Sequence, residues 1–172
     1  LMLHMFGNND DAWKKMEAFL GNVQVVEQSA MVPGALERGE FHAGVTQEYV
    51  AARYVAGGAK VGMNYPEDGN AVQAEGAGII KGSKHRKAAE KFVDFLNDKK
   101  FREVVFRDQF RRPARKDLDF SKLAPIPPLS KIPMMPGYVD TDYLNDRDKI
   151  LAGWDAALAE SHNFVGQWFI RD

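Results

Sequence analysis

A regular alternation of short apolar runs and amphipathic helical segments constrains this chain more than any other feature of its sequence. Three short runs are typical of strands, namely Val23 to Glu27, which follows Asn22, His42 to Thr46, and Lys60 to Tyr65, which ends at Pro66. The segments between them carry apolar residues at the spacing of a helix that buries one face. Connections of two to four residues between such elements favour an α/β fold with a mostly parallel sheet flanked by helices.

The helical segments can be placed from periodicity and end signals. We predict helices over Asp10 to Asn22, Pro33 to Arg38, Glu48 to Ala56, His85 to Arg107 and Asn145 to about Glu160. The charged residues Asp98-Lys99-Lys100 lie within the longest of them, so this segment is compatible with either one helix or two consecutive helices. A further strand is predicted over Glu75 to Ile80. The opening residues, Leu1 to Phe6, resemble the end of a buried helix, and we expect the chain to be a piece of a longer protein.

Composition excludes several classes of protein. The chain has 172 residues, 23 Lys and Arg against 24 Asp and Glu, and a formal net charge of −1, which is not the charge of a general nucleic-acid binder. It has no cysteine, so disulfides, thiolate metal sites and cysteine nucleophiles are excluded. Its 11 Phe, 5 Tyr and 3 Trp exclude an intrinsically disordered chain.

An ordered set of segments carries a resemblance to a known family. The segments are Gly39 to Thr46, Tyr49 to Gly58, Val61 to Gly69, Gly76 to Ser83, Ala88 to Leu96, Arg111 to Arg115 and Asn145 to Trp154. In this order they resemble the C-terminal half of type II extracellular (periplasmic) solute-binding proteins of ABC transporters. The branch that they resemble most holds ferric-ion, phosphonate and sugar-phosphate binders.

The resemblance implies a domain organisation. Residues 1–74 would form the α/β core of the C-terminal lobe, a periplasmic-binding-protein type II lobe. Residues 75–110 would hold a crossing strand and a long helix that returns toward the other lobe. An extended wrap would cover 111–144, where six of the eight prolines fall, and a C-terminal helix and tail would cover 145–172. The N-terminal lobe would be missing.

Two loops at predicted strand ends are candidate ligand-binding sites, because ligands of such folds bind at the carboxyl ends of strands. Ser29 and Ala30 lead into a helix, where backbone N–H groups, including those near Gly34, and the Ser29 hydroxyl could hold a phosphate, phosphonate or carboxylate. The alternative is that Ser29 caps this helix.

The second candidate loop is Thr46-Gln47-Glu48. Its amide and carboxylate can bind the hydroxyls of a sugar or polyol, and Glu48 matches an acidic position common in the sugar-phosphate-like branch. The alternative for Glu48 is a favourable interaction with the helix dipole, worth about 0.3–1 kcal/mol.

Other candidate residues favour structural roles. Arg111, Arg112 and Arg115 could clamp an anion, dock on a transporter or make salt bridges, and we favour the last because the Pro-rich segment needs anchoring. The four histidines lack metal-ligand spacing, and the five tyrosines include no adjacent pair, which disfavours a ferric site. We predict no catalytic residue, no metal ligand and no cofactor.

The resemblance implies a non-enzymatic solute-binding component of an ABC importer, located in the periplasm or outside the cell. Its partners would be a small anionic organic ligand, such as a phosphonate or sugar phosphate, and the permease subunits in the membrane, with no nucleic acid. Self-association through an exposed half-cleft is a further hypothesis. The alternatives are a ferric-ion-binding transport protein and the effector-sensing domain of a transcription regulator.

Overall fold

The computed structural model describes residues 2–118 and 126–161. The predictions on 119–125 and on the tail 162–172 lie outside the described residues. Within them the regular structure consists of α1 Met2–Phe6, α2 Asp10–Leu20, α3 Met31–Glu37, α4 Glu48–Ala56, α5 Arg86–Leu96, α6 Lys99–Gln109 and α7 Arg147–Glu160. Two 3-10 turns, Leu129–Lys131 and Asp140–Tyr143, lie in the Pro-rich region. None of the described helices is both long and apolar enough to cross a bilayer.

Tertiary contacts divide the chain into two compact units. The first unit holds the described residues of Leu1–Gln28 and Met135–Asp172, and the second unit holds those of Ser29–Met134. All five predicted ligand-binding residues therefore belong to the second unit.

The first unit is built on the packing of α2 against α7. Asn9 caps α2 by accepting a hydrogen bond from the Ala12 N–H at 3.0 Å. The core of the first unit consists of Met16, Leu20 and Ala157. The residues packed around it are Met2, Trp13, Val23, Val25, Trp154 and Leu158. The helical spacing of the apolar residues in α2 thus selects the face that is buried.

The second unit has its own core beside the candidate site. Ala52 of α4 and Phe106 of α6 pack with Phe110 and Ile126, and Tyr49 and Met63 border this cluster. Phe106 is fully buried. This cluster holds α4 against the end of α6.

The predicted helical segments form helices, and the longest of them forms two consecutive helices, α5 and α6, which is the alternative that the sequence left open. Asp98 ends the preceding segment and caps α6, because its carboxylate accepts a hydrogen bond from the Phe101 N–H at 3.1 Å. The predicted helix at the start of the chain forms as α1, but the expectation that it is buried is wrong, since none of its residues is buried.

The predicted fold class is wrong for the part of the chain that the structure describes. No strand or sheet occurs there, and an isolated parallel bridge between Asn70 and Met134 is the β pairing that the described residues contain. The α/β lobe with a mostly parallel sheet is therefore replaced by a helical arrangement linked by extended segments.

The physical reason is that a strand needs a partner as well as an extended backbone. Val23 and Val25 bury their side chains against α2 and α7 instead of in a sheet. Val45 and Ile80 are 85% and 83% exposed, so two other predicted strands gain little from burial. At the single bridge, the Asn70 N–H donates to the carbonyl of Pro133, which has no N–H with which to extend the ladder.

A glycine in α7 tests the packing of the first unit. A Cβ added at Gly153 would lie 2.5 Å from Cζ2 of Trp13. Replacing a mid-helix glycine by alanine normally stabilises a helix by about 1 kcal/mol, but overpacking against this ring costs about 1–3 kcal/mol. We expect Gly153→Ala to lower the free energy of unfolding measured by urea denaturation.

The matched control is Ala156→Gly at an exposed position of the same helix. It should destabilise by about 0.5–1 kcal/mol through helix propensity alone. A Gly153→Ala variant more stable than the parent chain would contradict the contact with Trp13.

Candidate functional site

The two loops predicted to bind ligand lie against each other. The Thr46 hydroxyl donates a hydrogen bond to the Ser29 carbonyl at 2.9 Å, and the Ser29 hydroxyl donates to Oε1 of Gln47 at 3.4 Å. Ser29 and Thr46 are half-buried, whereas Ala30 and Gln47 are exposed. Segments 17 or 18 residues apart therefore present their polar groups at one place.

Glu48, the first residue of α4, is held by two side chains from elsewhere in the unit. Arg112 donates from Nε to Oε2 at 2.7 Å and from Nη2 to Oε1 at 2.8 Å, which is a bidentate ion pair. The Tyr65 hydroxyl donates to Oε1 at 2.6 Å. The side chains of Arg112 and Glu48 are only 18% and 25% exposed, so water screens this pair less than a surface pair.

Arg112 also binds the Pro-rich segment. Its Nη2 donates to the carbonyl of Pro127 at 2.6 Å. One guanidinium thus connects the start of α4, the segment after α6 and the chain at Pro127. This supports the structural role that the sequence favoured for the arginines.

The end of α6 directs the two consecutive arginines that follow it. Phe110 ends the helix in the left-handed region, with φ 57°, and its N–H donates to the Phe106 carbonyl at 2.9 Å. This conformation costs a non-glycine residue about 1 kcal/mol, and burial of the Phe110 side chain in the core offsets that cost. Arg111 and Arg112 then both reach the first turn of α4.

Arg111 and Arg115 are also paired. The Arg111 guanidinium lies 3.8 Å from the centre of the Tyr49 ring, and its Nη1 donates to Glu75 at 2.6 Å. Arg115 binds Asp117 through two hydrogen bonds of 2.8 Å and donates to the Asn97 carbonyl at 2.7 Å. The three arginines therefore form separate contacts instead of one basic cluster.

The pKa values follow from this network. Burial raises the pKa of Tyr65 to about 12, assisted by its hydrogen bond to Glu48. Burial by itself would lower the pKa of Arg112, but the hydrogen bond and negative charge of Glu48 outweigh it, and the pKa is raised. Both effects keep Tyr65 neutral and Arg112 charged in the site.

The alternatives for Ser29 and Glu48 can be compared with these contacts. The Ser29 side chain does not cap α3, whose N-cap residue is Ala30, and no side chain caps this helix. Glu48 does lie in the first turn of α4, where the dipole favours it, but its carboxylate is bound by Arg112 and Tyr65. Gly34 lies inside α3, away from its first turn.

Sequence reasoning missed Tyr65 and Arg112 as neighbours of Glu48. Tyr65 lies at the carboxyl end of a predicted strand, and position at a strand end is the criterion that selected the other two loops. The same criterion could therefore have selected Tyr65. Arg112 lies 64 residues from Glu48 along the chain, and no local pattern indicates that pairing.

The contacts of His4 are made within the first unit. His4 contacts the Tyr143 hydroxyl at 3.0 Å and the Pro136 carbonyl at 2.9 Å. Across residues 2–118 and 126–161, no group of three or more His, Asp or Glu side chains is arranged to hold a metal ion.

The strength of the Glu48–Arg112 pair can be measured with a double-mutant cycle of Glu48→Gln and Arg112→Met. We expect a coupling energy of about 1–3 kcal/mol by urea denaturation, because the pair is half-buried and bidentate. The control cycle uses Arg38→Met and Glu40→Gln, a pair with the same bidentate pattern whose side chains are 63% and 48% exposed. That coupling should stay below about 1 kcal/mol, and equal couplings would contradict the importance of burial.

The raised pKa of Tyr65 predicts a loss of stability at high pH. The folded chain holds the phenolic proton more tightly than the unfolded chain, whose tyrosines ionise near pH 10. Tyr65 therefore contributes fully below about pH 10, and its contribution disappears as the pH rises from 10 toward 12.

We expect the free energy of unfolding to fall more steeply between pH 10 and 11.5 in the parent chain than in Tyr65→Phe. Parallel curves for the parent chain and Tyr65→Phe would contradict the assignment.

The chain is similar to one known protein family. The family model described as bacterial extracellular solute-binding protein matches residues 5–126, more than two thirds of the chain. Neither the curated proteins nor the solved structures give a significant match. The family-level resemblance and the periplasmic or extracellular location predicted from the sequence are thereby confirmed. The chain belongs to the bacterial extracellular solute-binding proteins, whose role is to bind solutes for transport.

Proposed function

We propose that this chain is part of the solute-binding component of an ABC importer and captures a small hydroxylated organic anion, a phosphonate or a sugar phosphate. The observation that carries the proposal is the convergence of Ser29, Thr46, Gln47 and Glu48, with Ala30 beside them, in a member of this family. We further propose that the protein is not an enzyme and that it delivers its ligand to permease subunits in the membrane.

The hydrogen-bonding capacity that remains in the site supports this ligand class. A carboxylate offers about four acceptor positions, and Oε2 of Glu48 accepts one hydrogen bond from the described residues, leaving room for a ligand hydroxyl. The Nε2 group of Gln47 makes no hydrogen bond within the described residues, so it can donate to an anion, and the Arg112 guanidinium supplies the positive charge beside Glu48. A ligand with both a hydroxyl and an anionic group matches both capacities.

The charges of Glu48 and Arg112 predict that a ligand binds best when it carries both an anionic group and a hydroxyl. Glu48 neutralises much of the charge of Arg112, so an anion alone meets only a partly compensated cation. A hydroxyl alone meets a carboxylate that already has two partners. We therefore expect glucose 6-phosphate to bind more tightly than either glucose or inorganic phosphate.

This ranking can be tested by isothermal titration calorimetry of the full chain with these three compounds and with 2-aminoethylphosphonate. Ser29→Ala and Glu48→Gln should each weaken binding of the favoured compound about 5-fold or more, since one hydrogen bond contributes about 1 kcal/mol. The matched controls, Ser83→Ala and Glu40→Gln, change the same residue types outside the site and should leave binding unchanged.

Other outcomes separate the alternatives. If ferric citrate releases heat on titration and none of the organic anions does, the result would favour a ferric-ion-binding transport protein. Binding that all four variants weaken equally would contradict the assignment of these residues.

A further inference from the structure

Helix α5 is amphipathic, yet none of its residues is buried. Ala89, Val93 and Leu96 form one apolar row that is half-buried. Ala88, Phe92 and Phe95, at the same spacing of four and three, form a second row that is exposed. Phe92 and Phe95 are 59% and 52% exposed, although Phe95 also contacts Phe101 of α6 at 4.4 Å between ring centres.

The exposed row is bordered by lysines. Lys84, Lys87 and Lys91 are spaced three and four residues apart, and Lys91 lies three residues after Ala88 and four before Phe95, next to the exposed row. These lysines make no ion pair with any residue that the structure describes. Ala88, Phe92, Phe95, Lys84, Lys87 and Lys91 together are named the α5 face.

The segment that carries this face has a net positive charge, because Lys84, Arg86, Lys87 and Lys91 outnumber Glu90 and Asp94. Glu90 is paired with Arg86 at 2.8 Å, and Asp94 lies three residues after Lys91, beside the lysines. The chain as a whole has a formal net charge of −1, so the α5 face differs in sign from the molecule that carries it. Its partner should therefore combine negative charge with an apolar layer.

A second copy of the chain fits this face less well. Two copies of α5 packed antiparallel through Phe92 would bring Lys91 of each copy close to the other, and like charges at close range are destabilising. An anionic lipid surface instead offers phosphates to the lysines and an acyl layer to the phenylalanine rings, and it needs no matching pocket.

We propose that the α5 face docks on an anionic phospholipid membrane, with Phe92 and Phe95 inserted between the headgroups and the lysines bound to lipid phosphates. Long lysine side chains suit this arrangement because their stems can lie along the apolar boundary while their ammonium groups stay at the phosphates. The proposal is independent of the ligand proposed above, since it uses none of the residues of that site.

The test is flotation of the full chain with vesicles of equal parts phosphatidylglycerol and phosphatidylcholine, compared with pure phosphatidylcholine. We expect binding to the anionic vesicles that falls at least 5-fold between 0.1 and 0.5 M NaCl, because salt screens the lysines. Phe92→Ser/Phe95→Ser and Lys87→Glu/Lys91→Glu should each reduce binding at least 10-fold. Circular dichroism checks that these exposed substitutions leave the helices folded.

The matched charge control is Lys60→Glu/Lys131→Glu, which makes the same change in net charge at two exposed lysines of the same unit. It should retain most of the binding. Phe92→Trp supplies a second readout, since its fluorescence should shift to shorter wavelength with anionic vesicles and not with phosphatidylcholine.

Three results would overturn the proposal. The first is a chain that does not float with the anionic vesicles, and the second is equal loss of binding in the two lysine double variants. The third is a dimer, measured by light scattering, that Phe92→Ser/Phe95→Ser converts to a monomer, because a second copy would then cover this face.

Discussion

The ion pair between Arg112 and Glu48 is the interaction on which the second unit and its candidate site depend. It joins the start of α4 to the segment after α6, and the same guanidinium binds the Pro127 carbonyl. Since both side chains are mostly shielded from water, removing one would leave a poorly solvated charge behind, which costs more than the loss of a surface pair. The pair therefore organises the fold locally and also sets the charge of the proposed ligand site.

This dual role changes how Glu48 is interpreted. From the sequence it is a free carboxylate at a helix start, either for a ligand or for the helix dipole. In the structure it accepts hydrogen bonds from Arg112 and Tyr65, so the proposed ligand would meet an arranged pair instead of an isolated charge. An arranged pair offers both a donor and an acceptor, which is the basis for preferring a ligand that carries an anion and a hydroxyl. A binding protein gains specificity in this way, because a ligand lacking either group leaves a polar group without a partner.

The two units use their apolar residues differently. In the first unit, the apolar faces of α2 and α7 meet and bury Leu20 and Ala157. In the second unit, α4 and α6 share a core around Phe106, while α5 keeps two phenylalanines largely exposed. The sequence pattern of α5 is as amphipathic as that of α2, so periodicity predicts that each helix has an apolar face and does not say what covers it.

The sequence by itself determined where the helical segments lie and the family, and it left open whether the longest segment is one helix or two. Helix formation depends on contacts within three or four residues and on caps such as Asn9 and Asp98, and all of this information is local. It also brought attention to Ser29, Thr46, Gln47 and Glu48, which do lie together. Only the tertiary structure decided the rest, because it depends on pairing between distant segments. Among the residues that the structure describes, the strand-like runs have no partners with which to form a sheet, and Arg112 pairs with Glu48 across 64 residues. The preference of a segment for extended backbone is local, but the hydrogen-bond partner that such a segment needs lies elsewhere in the chain.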